Sequence, residues 1–90
     1  MAHTQHDNKK LLARVRRIGG QVAALEQALL RGEDCDAVLV QIAAAKGAMQ
    51  GLMMEVMAGH LAGHIVQQDD PAERERESKL LMDLLRRHAR

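Results

Sequence analysis

Residues 35–66 read CDAVLVQIAAAKGAMQGLMMEVMAGHLAGHIV. Within them Cys35, Val38, Ile42, Ala45, Met49, Leu52 and Val56 recur in steps of three and four, the spacing of one face of an amphipathic helix. His60 follows Val56 by four and His64 follows His60 by four, so the same row ends on two imidazoles one turn apart. Ala43, Ala44, Ala45, Gly47, Ala48 and Gly51 keep the middle of this helix slim, so that another backbone can approach. Met49, Met53, Met54 and Met57 supply adaptable packing volume. Cysteine and histidine both bind transition metals. On one helix Cys35 and His60 are roughly 37 Å apart at 1.5 Å per residue, a gap no metal ion spans. They share a site only if a second copy of the helix runs antiparallel beside the first.

Upstream, Leu11, Val15, Ile18, Val22, Leu25 and Leu29 step by 4, 3, 4, 3 and 4, a heptad seam. Thr4 suits the N-cap, with Asp7 in the first turn. Gly32 suits a C-cap. Gly19 and Gly20 lower helix propensity by about 1 kcal/mol each, and their missing side chains suit a close helix crossing. Downstream, the break at Gln67-Gln68-Asp69-Asp70-Pro71 opens a short third helix, with Pro71 in its first turn and acids at its positive end. Leu80, Leu81, Leu84 and Leu85 form its apolar face, and Arg86 and Arg87 sit at its negative end. No strand signal or internal repeat is present. The expected fold class is all-α: a three-helix protomer, a long antiparallel hairpin plus a short third helix, forming a single domain over residues 1–90.

Ninety residues without Phe, Tyr or Trp bury little alone, because small domains are marginal and aromatic side chains carry the largest apolar areas. Association between copies is the natural remedy. Net charge is +1, but Lys9, Lys10, Arg14, Arg16 and Arg17 cluster without an acid among them, which makes a phosphate-binding surface or a solvated helix face. One cysteine forms no intrachain disulfide. The start MAHTQHDNKK lacks the apolar core of a signal peptide, and no apolar run approaches the length of a membrane span. These features point to a reducing, cytoplasmic setting.

The hairpin sets the start of helix 1 beside the end of helix 2, bringing His3, and with it His6, toward His60 and His64. A reversed neighbour adds Cys35. The N-terminal amine is a further candidate donor, at Ala2 if Met1 is removed. One sulfur with several nitrogens suits Ni(II), Co(II) or Zn(II) better than Cu(I). Thiolate ligation releases a proton, so rising pH favours binding. The plainer readings stand beside this one. A lone cysteine in apolar register is commonly a small buried hydrophobe, and a His-x-x-x-His pair is commonly a surface feature. His88 reads as a polar residue near a helix C-terminus.

With LLARVRRIGGQVAALEQAL, DCDAVLVQIAAAKGAMQGLMMEV and GHLAGHIV in view, the chain resembles the CsoR/RcnR/FrmR family of metal- or formaldehyde-responsive repressors, over roughly residues 3–66. It is most similar to the nickel/cobalt branch. The resemblance implies a homotetramer, a dimer of antiparallel dimers, whose apo form binds double-stranded operator DNA and is released by its effector. It implies metal ligands at His3, Cys35, His60 and His64, with the amine of Ala2 as a further one, and a DNA surface at Lys9, Lys10, Arg14, Arg16, Arg17 and Lys46. The copper branch has a second Cys where His64 stands. The formaldehyde branch joins an N-terminal proline amine to the thiol, where this chain has Ala2. Departures are Gly19 in place of a common basic residue, Gln50 in place of Asn and Lys46 in place of Arg; they bear on the DNA contacts more than on the fold. No helix-turn-helix signature is present, so phosphates and groove shape would be read by a broad basic face.

The function expected is therefore a repressor released by Ni(II) or Co(II) and controlling metal efflux. Its rivals are a formaldehyde-responsive repressor using Cys35 and the N-terminal amine, and a cytoplasmic metal-binding helical oligomer without a DNA role. With no paired acid–base constellation beyond the ligand cluster, an enzyme is not expected.

Overall fold

The computed structural model describes residues 8–88. Three helices and one π-helical turn follow in order: α1 (Asn8–Arg31), α2 (Cys35–Leu61), the turn Ala62–Val66, and α3 (Pro71–His88). No strand occurs among the described residues. The all-α class and the three-helix protomer are as expected. Thr4 and Asp7, the expected start of the first helix, lie outside the described residues.

Each boundary has a local cause. Gly32 adopts φ 71°, a left-handed conformation that glycine takes without the steric cost of a Cβ. Its N–H donates to the Leu29 carbonyl and that of Glu33 to the Ala28 carbonyl, both at 3.1 Å. This paired closure satisfies the last carbonyls of α1. Asp34 caps α2 through its carbonyl, which accepts from Val38 N–H at 3.1 Å. Asp70 caps α3: its side chain accepts from Ala72 N–H at 3.1 Å and its carbonyl from Arg74 N–H at 2.9 Å. Pro71 occupies the first helical position, where a missing N–H costs nothing.

Two compact units divide the described residues: Lys9–Leu52, and Met53 onward. In the first unit α1 and the first part of α2 form an antiparallel hairpin. Arg14 Nη1 donates to the Gly51 carbonyl at 3.2 Å. A cavity of about 120 Å³ is lined by Arg14, Arg17, Ile18 and Ala48, and one of about 140 Å³ by Gln21, Ala24, Gln41 and Ala44. The inward row of α1 is Leu11, Arg14, Ile18, Gln21, Leu25 and Ala28, all buried or half-buried. This corrects the expected seam. Ile18, Leu11 and Leu25 hold their places, but Val15, Val22 and Leu29 are 48%, 52% and 62% exposed. On α2, Ile42 and Met49 are likewise exposed while Val38, Ala45 and Leu52 are half-buried. The apolar face is wider than one hairpin covers. Small Ala28 and polar Gln21 fill the inward positions without a hydrophobic signal.

The expected close crossing at Gly19 and Gly20 is absent among the described residues: a Cβ at either would meet nothing within 4 Å. A second correction concerns apolar length. Cys35–Val66 contains an 18-residue window of mean hydropathy 1.3, none of it buried, so this segment is long and apolar enough to cross a membrane by length and composition. Lys46 and Glu55 interrupt every long apolar run but do not outweigh the window average.

In the second unit α3 packs against the π-helical turn. Leu81 and Met57 are buried, Leu84 and Leu85 half-buried, and Leu80 is turned outward. The expected four-leucine face of α3 is thus narrower by one residue.

Candidate metal centre and basic face

His60 and His64 come together at the C-terminal end of α2. Their ring centroids lie 4.6 Å apart with planes inclined by 23°. Residues four apart are neighbours on any helix. Here the backbone also widens: Gln67 N–H donates to the Ala62 carbonyl, five residues back, at 3.1 Å. A wider turn places the fourth residue more nearly above the first, so the rings stack rather than splay. Such turns recur at functional sites.

Glu77 of α3 lies against His60, with Oε1 2.8 Å from His60 Nε2 and both side chains about four-fifths buried, a close ion-pair contact outside hydrogen-bond geometry. A carboxylate beside a ring nitrogen is the usual support of a metal-binding histidine. The sequence reading did not single out Glu77, because it sits in a run of alternating charge (ERERES) that reads as a solvated face. Its signal was register: Glu77 precedes buried Leu81 by four, and so belongs to the inward row of α3.

Cys35 is exposed and is the first residue of α2, whereas His60 lies next to its last. It is therefore not the buried hydrophobe of the plainer reading. Among the described residues no group of three or more His, Cys, Asp or Glu could hold a metal ion. His3, His6 and the Ala2 amine lie outside the described residues. The donors present fit a borderline metal in type, with one exposed sulfur and an oriented imidazole pair, but they form an incomplete set within the described part of one chain.

The basic residues divide in two. Lys9, Lys10, Arg16, Arg17 and Lys46 are exposed, while Arg14 is half-buried against α2. Lys46 follows Ile42 by four and precedes Met49 by three, which puts it beside the exposed apolar row of α2. Arg17 instead shares a cavity with Ala48. His88 is exposed in the last turn of α3 with Arg86 and Arg87.

Comparison with known proteins adds to this geometry. Residues 7–87 match the family model described as a metal-sensitive transcriptional repressor. An uncharacterized protein of Serratia marcescens is 54% identical over 96% of both chains. The transcriptional repressor RcnR of Salmonella paratyphi B is 49% identical over 94% of both. Among solved structures, a Glu-to-His variant of the formaldehyde-responsive regulator FrmR from Salmonella enterica serovar Typhimurium superposes with a TM-score of 0.87 at 47% identity, covering 96% of this chain and 98% of its own.

Proposed function

Because the chain belongs to the metal-sensitive transcriptional repressor family, that of CsoR, RcnR and FrmR, whose members are repressors and not enzymes, we propose that it binds operator DNA when metal-free and is released by Ni(II) or Co(II), with Zn(II) an alternative effector. The observation that carries this reading is the imidazole pair: His60 and His64 stacked, with Glu77 on His60. Cys35 of one copy and His60 and His64 of another would hold the ion, joined by His3 and the Ala2 amine. The bound ion supplies a single centre to which residues of two subunits are drawn. Lys9, Lys10, Arg16 and Arg17, with Arg14 and Lys46, provide the positive surface for DNA phosphates.

The assembly proposed is a homotetramer built as a dimer of antiparallel dimers, each chain one functional domain of residues 1–90 working in the cytoplasm beside its DNA. The uncovered apolar surface of Cys35–Val66 suits burial against other copies better than lipid, given the repressor family. Control of a metal efflux system would follow from such an effector.

Titration of a labelled operator fragment tests the mechanism. A thousandfold loss of DNA affinity on metal binding corresponds to about 4 kcal/mol of coupling, and DNA must weaken metal binding equally. DNA occupancy indifferent to both Ni(II) and Co(II) rejects metal release. A second reading draws on the likeness to the formaldehyde-responsive FrmR and the exposure of Cys35. In it the Cys35 thiol and the Ala2 amine condense with formaldehyde into a methylene bridge, losing water. Intact-protein mass after mild formaldehyde treatment separates the two: the bridge adds one carbon, and its absence, with release by metal, favours the first.

A further inference from the structure

His60 and His64 lie face to face, with ring centroids 4.6 Å apart and planes inclined by 23°. A metal ion bound by an imidazole sits in the plane of the ring, on the nitrogen lone pair, about 2.0–2.1 Å from the nitrogen for Zn(II). One ion held by two imidazoles must therefore lie in both ring planes at once. Stacked rings in van der Waals contact stand about 3.5 Å apart, and planes inclined by 23° close only part of that gap within the reach of a metal–nitrogen bond. An ion set in the plane of either ring falls well outside the plane of the other. The pair has the residue types and the spacing of a chelate, but its two rings do not converge on one point.

The elements that carry the rings decide which of them can turn. His60 belongs to α2, is one-fifth exposed, and has the Glu77 carboxylate of α3 2.8 Å from its Nε2. Turning this ring takes its nitrogen away from an acidic partner in a shielded place. His64 belongs to the π-helical turn Ala62–Val66, where the Gln67 N–H reaches back to the Ala62 carbonyl at 3.1 Å. A single π turn is the rare alternative to an α turn and closes over one more residue. Passing to the α form moves the Gln67 N–H onto the Gly63 carbonyl and rotates residue 64 about the helix axis relative to residue 60, which splays the rings.

We propose that His64 is the moving ring of a self-stacked pair, and that His60 and His64 ligate one ion together only when the π turn closes to an α turn and carries His64 out of the stack. The proposal rests on the metal-binding reading above and deepens it, since it names what ligation must change in the chain. The test is a pair of crystal structures of the full-length chain, one grown metal-free and one with Zn(II), with histidine ring nitrogen-15 shifts in solution counting the rings that ligate. The metal-free chain is expected to keep the stack and the Gln67–Ala62 bond. The loaded chain is expected to show both rings on one ion, steeply inclined to each other, with the Gln67 N–H on Gly63, and one ring nitrogen of each histidine at a metal-bound shift. Zn(II) on one ring with the stack retained overturns the proposal. So do splayed rings in the metal-free chain, or an opened stack with the Gln67–Ala62 bond unchanged. Failure of the chain to take up Zn(II), or uptake with neither ring on the ion, sinks the metal-binding reading itself and this proposal with it.

Discussion

At the scale of single residues, the site is defined by what supports the ligands as much as by the ligands. Glu77 stands 2.8 Å from His60 Nε2, and carboxylate partners of metal-binding histidines typically contribute 10- to 100-fold in metal affinity. Glu77→Ala is therefore expected to weaken Co(II) binding by roughly that factor, measured by competition with a chromophoric chelator, while leaving DNA binding by the apo protein unchanged. His64→Ala removes a ligand outright and is expected to abolish release of DNA by metal. Equal Co(II) affinity in Glu77→Ala and wild type would mean that His60 does not ligate through an oriented ring. The histidines and the cysteine were legible in the sequence because their spacing on a helix is fixed by its pitch. Glu77 was not, because what gives it meaning is contact between α3 and the end of α2, and no local pattern encodes that contact. Arg14 was legible as a base but not as an inward one, since a charge count carries no direction.

At the scale of elements, the helix ends were the most readable part of the chain. Gly32, Asp34, Asp70 and Pro71 act through their own backbone preferences, which need no tertiary context. Gly32→Ala forces a Cβ into the left-handed region at φ 71° and is expected to cost about 1–2 kcal/mol. Asp70→Ala removes the side-chain acceptor for Ala72 N–H and is expected to cost about 1 kcal/mol. For a domain this small, each kcal/mol lowers the thermal midpoint by about 4–8 °C, at fixed protein concentration because association contributes. Helix faces were less readable. The 3–4 spacing found a broad apolar stripe on α1 and α2 but did not divide it. One flank, with Ile18 and Leu25, turns inward; the other, with Val15, Val22 and Leu29, stays exposed. Periodicity reports that a face will be buried, not which chain buries it.

At the scale of the whole molecule, the exposed flank and the incomplete ligand set point the same way. Val15, Val22 and Leu29 on α1 recur every seven residues, as do Cys35, Ile42 and Met49 on α2, and all six are exposed. A thiol in the same heptad row as an uncovered apolar face is placed to enter a subunit interface together with that face. If the sulfur comes from one copy and the imidazoles from another, two different defects can complement each other. A Cys35→Ala chain and a His64→Ala chain each assemble into homo-oligomers with no complete site. Mixed by co-expression, half of the pairs are heterologous. In each such pair one site has lost both groups, while the other joins the Cys35 of one chain to the His64 of its partner. A twofold interface therefore restores about a quarter of the wild-type metal-binding capacity, read as the thiolate-to-Co(II) absorption band of the mixture. A site closed within one chain restores none, whatever the mixing ratio. Ile42→Glu in both chains, which puts a charge in the exposed row beside Cys35, is expected to remove the restored fraction by separating the subunits, and sedimentation of the same sample reports that separation directly.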